Sequence, residues 1–372
     1  MSSLKVIISG GGTGGHIFPA LSVAEALREK IPGADIRFVG ALGRMEMERV
    51  PAAGFPIVGL PVTGMPRKLS FGIVRFVWKL VLSMYRAHRL IAVFKPDVAV
   101  GVGGFASGPV LRAAVRRGIP AVLQEQNSCA GLTNRLLARR VRSICVAYPH
   151  MDRYFPAEKI ILTGNPVRRT LLNRPDRLLA LKSFALDPGK PVALILGGSL
   201  GARSLNESVL AGLEHIRQSE IQLIWQTGSL YYREMIDRLQ NNGPVGLKPV
   251  EFVSDMQLAY RAADLVISRA GAGTISELCL LGKPAILVPS PNVAEDHQTR
   301  NALSLVEQDA AVMVRDTEVR EKLLPEIRNL LADKTRMERL AKNSLKLGRP
   351  EATDKIVEVI LREAGYPCRQ KG

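Results

Sequence analysis

Three kinds of residue in this chain have the chemistry to hold a phosphorylated ligand: glycine-rich turns, polar residues that open helices, and an arginine placed after a strand. The first turn is Ser9-Gly10-Gly11-Gly12-Thr13-Gly14-Gly15-His16, with five glycines in the six positions 10–15. Glycine lets the backbone turn tightly and approach a ligand closely. The N–H groups that open the next helix then face that ligand, with the positive end of the helix dipole behind them. A second turn, Gly197-Gly198-Ser199-Leu200-Gly201-Ala202, adds the Ser199 hydroxyl. A third is Arg269-Ala270-Gly271-Ala272-Gly273-Thr274. For each turn the alternative is a tight strand–helix corner that holds nothing.

Glu277 follows the third turn on a helix and is suited to accept from both hydroxyls of a ribose; the alternative is an exposed helix acid. Asp296-His297-Gln298 opens another helix, where side chains read sugar hydroxyls or merely cap the helix. Arg168 ends Asn165-Pro166-Val167-Arg168 and offers a fork of donors for a diphosphate, or is a surface arginine. His16 sits at a helix start, where the dipole favours the neutral imidazole that a general base requires. Its alternative is a structural histidine. Gln124-Glu125-Gln126-Asn127 closes a strand and projects toward the same crevice. The chain contains no Asp-x-Asp pair, the usual carboxylates for a metal–diphosphate complex. The charge of a departing diphosphate is therefore expected to fall to helix N-termini and Arg168, with no metal and no cofactor.

These residues need rigid elements behind them. In the first half, apolar segments at 36–40, 96–102, 120–125, 143–147 and 160–164 alternate with helical patterns. After a charged, turn-rich stretch through Asp187-Pro188-Gly189-Lys190-Pro191, the opening theme returns at 192–196 and again at 265–268. Strands alternating with helices predict an α/β protein with parallel sheets covered on both faces. The interdomain link is expected between 165 and 191. Residues 1–168 are expected to form one domain and 169–349 a second, with the last helix, in 350–372, returning to the first.

The 372 residues exceed what one core usually holds. Lys plus Arg number 51 against 34 for Asp plus Glu, a net charge of +17, which calls for an anionic partner. Aromatics are 5% and do not interleave with basic residues, which argues against nucleic acid. The four cysteines are far apart and suggest neither a disulfide framework nor a zinc site, which fits a reducing compartment. The chain enters a strand at once, which leaves no room for a signal peptide, and no apolar run reaches the length of a span. The stretch Phe71 to Tyr85 is apolar around most of a helix, with Arg75, Lys79 and Arg86 as a basic stripe and Arg67 and Lys68 ahead of it. Such a helix is either buried or docks on an anionic bilayer, with Trp78 among its apolar residues and Arg135, Arg139, Arg140 and Arg142 adding charge.

Taken in order, Gly11-Gly12-Thr13-Gly14-Gly15-His16, Gly103-Gly104-Phe105-Ala106-Ser107-Gly108-Pro109, Gln124-Glu125-Gln126-Asn127, Gly164-Asn165-Pro166-Val167-Arg168, Gly197 to Ala202 and Glu295-Asp296-His297-Gln298 resemble the motifs of the MurG family. These are the bacterial peptidoglycan N-acetylglucosaminyltransferases, and the resemblance spans essentially the whole chain. It implies a GT-B fold, two Rossmann-like doubly wound parallel-sheet domains facing across a cleft. It implies inverting transfer of GlcNAc from UDP-GlcNAc to the C4 hydroxyl of undecaprenyl-diphospho-N-acetylmuramoyl-pentapeptide, a step of cell-wall biogenesis tied to cell shape and division. It also implies a peripheral place on the cytoplasmic face of the plasma membrane, beside other cell-wall synthesis proteins. By the same resemblance, Thr13, Gly14, Gly15 and Asn127 line the donor sugar, and Arg168 and Ser199 lie near the diphosphate. The backbone of Val253 reads uracil, Ala272, Gly273 and Thr274 belong to the nucleotide loop, Glu277 takes the ribose, and Gln298 reads a sugar hydroxyl. The family's usual Tyr in the second motif is Phe105 here, which leaves a stacking or packing role but no phenol. His16 is the first choice of catalytic base and Glu125 the second. A transferase acting on a membrane diacylglycerol and a nucleotide-sensing or nucleic-acid-binding protein are the competing readings.

Overall fold

The computed structural model of the protein describes residues 3–64, 72–240 and 243–367. Arg67, Lys68 and Phe71 of the basic–apolar stretch lie outside them. Two compact units divide the chain: Met1–Val167 with Arg349–Gly372, and Arg168–Gly348.

The first unit carries β1 (Lys5–Ser9), β2 (Asp35–Ala41), β3 (Ile57–Leu60), β4 (Val98–Gly101), β5 (Ala121–Glu125), β6 (Ser143–Val146) and β7 (Ile160–Leu162). Its helices are α1 (Gly14–Lys30), α2 (Glu46–Ala52), α3 (Gly72–Phe94), α4 (Ser107–Arg116) and α5 (Leu132–Leu137). The strands form one parallel sheet in the order β3-β2-β1-β4-β5-β6-β7. The order reverses between β1 and β4, and in open α/β sheets the ligand crevice lies outside the strand C-termini at such a switch.

The second unit opens with α6 (Arg177–Ser183) and continues through β8 (Val192–Leu196), α7 (Arg203–Ala211), α8 (Leu213–Gln218), β9 (Gln222–Gln226), α9 (Tyr232–Leu239), β10 (Leu247–Val250) and α10 (Met256–Ala262). Then come β11 (Leu265–Ser268), α11 (Ala272–Leu281), β12 (Ala285–Leu287), α12 (His297–Val306), β13 (Val312–Met313), α13 (Val319–Ala332) and α14 (Lys334–Leu347). The sheet order is β10-β9-β8-β11-β12-β13, with its switch between β8 and β11. Most of the segment expected to link the domains is built into this unit. Leu171, Ala180 and Leu181 lie in its core, because α6 has an apolar side to bury against α10.

Successive strand residues point to opposite faces, and in a parallel sheet both faces are covered. In β1, Val6 and Ile8 pack with Leu27 of α1, while Ile7 packs on the other side with Ile91 and Leu111 of α3 and α4. The final helix, α15 (Ala352–Glu363), completes the first of these layers: Ile356 and Ile360 are fully buried beside Val6 and Ile8. Removing a large aliphatic side chain here would cost about 2–5 kcal/mol, so the C-terminal helix is part of the first unit's stability.

Candidate functional site

Each unit places its glycine turns at the C-terminal ends of the strands beside its switch point. In the first unit the β1–α1 turn holds Thr13 exposed at the N-cap of α1, followed by Gly14, Gly15 and His16 in its first turn. Two features fix this loop. Glu46, the first residue of α2, is fully buried, and its carboxylate accepts from Gly12 N at 3.0 Å with both oxygens and from Ala41 N at 2.9 Å. An acid buried on these backbone donors is a brace for the turn. Sequence reading missed it, since Glu46 lies in a charged helix with nothing local to mark it as inward.

The second feature is the bed of His16. Its ring lies on Gly103, at the end of β4, where a Cβ would sit 2.9 Å from His16 Cε1 and 3.0 Å from Nδ1. Gly103 also has φ +92°, which disfavours any side chain there. His16 Nδ1 is 3.0 Å from Gln126 Oε1. The histidine is thus set by the ends of β4 and β5 as well as by its own helix. Phe105 is half exposed in the same loop, with its ring against Gly64.

Glu125, at the end of β5, lies inside the same unit. It is 2% exposed. Oε1 accepts from Asn127 N at 3.1 Å and Asn127 Nδ2 at 3.3 Å. Oε2 accepts from Gly131 N at 3.0 Å and Asn134 Nδ2 at 2.8 Å. Four donors from one loop thus converge on a buried carboxylate. Glu125 therefore organises the loop from 126 to 134 and holds Asn127.

In the second unit the β8–α7 turn brings Ser199 to the surface, and its carbonyl accepts from Ser229 N at 3.1 Å. Gly201, at φ +91°, lets this turn lie against the next one: a Cβ there would fall 2.1 Å from Thr227 O. Gln226, buried at the end of β9, joins two of the expected contact points. Its Nε2 donates to Gly198 O at 3.0 Å, and its Oε1 accepts from Val253 N at 2.9 Å. The Val253 amide is thereby engaged, so a base at this position would meet the carbonyl. Arg269 holds the same end of the sheet together. It donates from Nη1 to Val288 O at 3.2 Å and Pro289 O at 3.3 Å, from Nη2 to Ser204 Oγ at 2.9 Å, and pairs with Asp316.

The turn after β11 opens α11 with Ala272, Gly273 and Thr274, and Glu277 follows on the next turn. Glu277 is half-buried, and its Oε2 accepts from the phenol of Tyr260 at 2.8 Å. Burial raises the Glu277 carboxyl above its usual range, against the Tyr260 hydrogen bond and the Arg168 charge, which lower it. Burial and the Glu277 charge hold the Tyr260 phenol protonated, well above its usual range. Arg168 is thus within electrostatic reach of Glu277. Gln298, second residue of α12, is half-buried, and its Oε1 accepts from Ser290 N at 2.8 Å. Glu295 and Asp296 before it adopt φ 56° and 49°, an unusual left-handed pair that sets the start of α12.

The expected docking helix is amphipathic in an unexpected sense. Val74, Trp78, Val81 and Tyr85 of α3 are 69, 63, 60 and 65% exposed, so this apolar face is not core. Arg75 and Arg86 are exposed and Lys79 is half-buried among them. α4 packs between α3 and α5, and α5 adds exposed Leu132 and Leu136 with Arg135. Among the described residues no helix is long and apolar enough to cross a membrane.

Comparison with known proteins fits this geometry. The glycosyltransferase family 28 N-terminal domain model matches residues 6–146 and the C-terminal domain model residues 192–356. A Bacteroides fragilis protein named UDP-N-acetylglucosamine–N-acetylmuramyl-(pentapeptide) pyrophosphoryl-undecaprenol N-acetylglucosamine transferase is 53% identical over 97% of this chain and 96% of its own length. A Porphyromonas gingivalis protein of the same name is 50% identical over 97% of this chain and 96% of its own. Among solved structures, Acinetobacter baumannii MurG superposes with a TM-score of 0.77 at 30% identity, covering 96% of this chain and 99% of that one. A UDP-GlcNAc 2-epimerase from Neisseria meningitidis shares the fold alone, with a TM-score of 0.66 at 15% identity over 97% of this chain and 100% of that one. The doubly wound α/β fold of the GT-B type is therefore observed in both units, and with both halves matched the chain belongs to glycosyltransferase family 28.

Proposed function

We propose that this glycosyltransferase moves GlcNAc from UDP-GlcNAc to the C4 hydroxyl of undecaprenyl-diphospho-N-acetylmuramoyl-pentapeptide, with inversion at the anomeric carbon. The names and near-complete coverage of the relatives support the two substrates. The observation that carries the reading is Glu277, held by Tyr260 and faced by Arg168 just after a glycine turn. An acid so placed suits a ribose, and an arginine beside it suits the diphosphate.

The chemistry is a direct displacement. The acceptor hydroxyl attacks the anomeric carbon, and its proton goes to a base on the first unit, for which His16 is the first choice and Glu125 the second. The C1–O bond to UDP breaks as the new bond forms. The departing charge is met by the N–H groups at the start of α7 and by Arg168. Thr13, Gly14, Gly15 and Asn127 border the donor sugar, Ser199 the diphosphate, the Val253 carbonyl the uracil, Ala272 to Thr274 the nucleotide, and Gln298 a sugar hydroxyl.

The acceptor is a lipid, and the exposed apolar and basic face of α3 supports work at an anionic membrane surface, on its cytoplasmic side. Trp78 would enter the interface while Arg75, Lys79 and Arg86 meet headgroups. The direct test incubates the protein with UDP-GlcNAc and a short-chain analogue of the lipid acceptor, without added metal, and looks for the β-linked disaccharide. No disaccharide under any condition, or glycosylated diacylglycerol in its place, would refute the assignment.

A further inference from the structure

We propose that Gln126 is the positioning residue that sets the tautomer of His16: it keeps the imidazole proton on Nδ1 and leaves Nε2 as the basic nitrogen. The catalytic consequence rests on the reading of His16 as the base. The tautomer itself rests only on the hydrogen bonds around Gln126.

A glutamine amide can be turned end for end, so its surroundings decide which end is oxygen. One end of Gln126 lies 2.8 Å from the Val102 carbonyl and 3.3 Å from the Gln124 carbonyl, and also meets Gln124 Oε1. Main-chain carbonyls only accept, so this end must be the NH2 group. Reversing it would set oxygen against oxygen inside the protein. The neighbours are held as well. Gln124 Nε2 donates to Asn165 Oδ1 at 3.0 Å, and Asn165 Nδ2 donates back to Gln126 O at 3.0 Å. The three amides are 1% (Gln126), 0% (Gln124) and 3% (Asn165) exposed, so water does not compete for these bonds.

The other end of Gln126, its carbonyl oxygen, is what His16 Nδ1 meets at 3.0 Å. A carbonyl oxygen accepts and does not donate. Nδ1 therefore carries the hydrogen, and in a neutral imidazole the lone pair then belongs to Nε2. Gly103 beneath the ring has no side chain to push it off this bond. The arrangement orients a base as the carboxylate of a catalytic triad does, with one difference. A neutral amide fixes the tautomer without adding negative charge beside the ring. Gln126 therefore sets direction and leaves basicity to the rest of the site.

The test uses the full chain labelled with 15N-histidine. Two-bond 15N–1H correlation spectra distinguish the two neutral tautomers, and the His16 signals are those lost in His16→Asn. The expected result is a single Nδ1–H form in the wild type and a mixture in Gln126→Met, which keeps the bulk but cannot accept. An Nε2–H form in the wild type overturns the proposal, whether or not the variant folds. So does a Gln126→Met spectrum identical to the wild type's. In the activity arm, Gln126→Met should lower kcat about 10- to 100-fold and leave KM for UDP-GlcNAc unchanged. If the spectra come out as expected while Gln126→Met and His16→Asn both keep wild-type kcat, the tautomer stands and the base reading falls.

Discussion

Tyr260 donates its phenolic proton to Glu277 across 2.8 Å, so a fully buried tyrosine on α10 aims the acid on α11. A hydrogen bond to a charged group contributes about 1.5–3 kcal/mol. Glu277→Ala should therefore raise the Kd for UDP-GlcNAc roughly 10- to 100-fold, and Tyr260→Phe by about 10-fold. Glu318→Ala, which removes a surface acid paired with Lys322, should do neither. Equal effects of Glu277→Ala and Glu318→Ala in isothermal titration would end the ribose assignment.

The same pair predicts a pH dependence. Burial raises the folded-state pKa of Glu277 above its usual value, so its contribution to stability is full below the unfolded value and is lost as pH rises through the folded one. Donor binding has the opposite preference, because only the carboxylate accepts from two ribose hydroxyls. UDP-GlcNAc affinity should rise with pH through the elevated Glu277 pKa and then level off. Glu277→Gln should flatten that rise. A wild-type profile that is flat from pH 4 to 8 would count against the role.

Glu46 is expected to matter for the first unit's stability. In Glu46→Gln an NH2 group replaces an oxygen that lies 3.0 Å from Gly12 N, setting donor against donor in a buried place. The cost should be about 1–3 kcal/mol, seen as a lower urea midpoint for the first unit. The exposed neighbour Glu48→Gln should leave the midpoint unchanged. An unaltered midpoint in Glu46→Gln would mean that the turn does not depend on this brace.

The contrast between Glu46 and the glycine turns shows what the chain's order of residues makes legible. The turns were readable because strand, glycines and helix follow one another locally, and β1, β8 and β11 lie where their apolar runs are. β3, β9, β10, β12 and β13 were not anticipated: β9 (Gln222–Gln226) begins and ends in glutamine, and the other four are two to four residues long. The functions of Glu46, Gln226 and Arg269 depend on partners 34, 27–28 and 19–65 positions away, which no local pattern records. The four donors to Glu125 were likewise not legible, since they come from the loop that it shapes.

Gly103→Ala should separate chemistry from donor binding. The new methyl would press on His16 Cε1 and Nδ1 at about 3 Å, and a displacement of about 1 Å can cost on the order of 100-fold in rate. kcat should fall 10- to 100-fold by that estimate, while UDP-GlcNAc binding in the second unit stays unchanged. Gly118→Ala is the matched control: φ is +72° there too, but the space is open. If the two variants lose kcat equally, backbone strain and not the bed of His16 is responsible.

Membrane docking by α3 makes a prediction that depends on salt. Each basic residue near an anionic surface contributes about 1 kcal/mol, so reversing two charges removes about twice that and adds repulsion. Arg75→Glu with Lys79→Glu should weaken binding to phosphatidylglycerol-containing vesicles roughly 100- to 1000-fold on that scale, and raising salt should weaken the wild type in the same direction. Trp78→Ala removes exposed apolar surface and should lower affinity with little change in salt dependence. UDP-GlcNAc binding in solution should be untouched by all three changes, because α3 carries none of the residues assigned to the donor. Undiminished vesicle affinity in the charge-reversed protein would take this face out of the membrane contact and leave its exposed valines and tryptophan to a different partner.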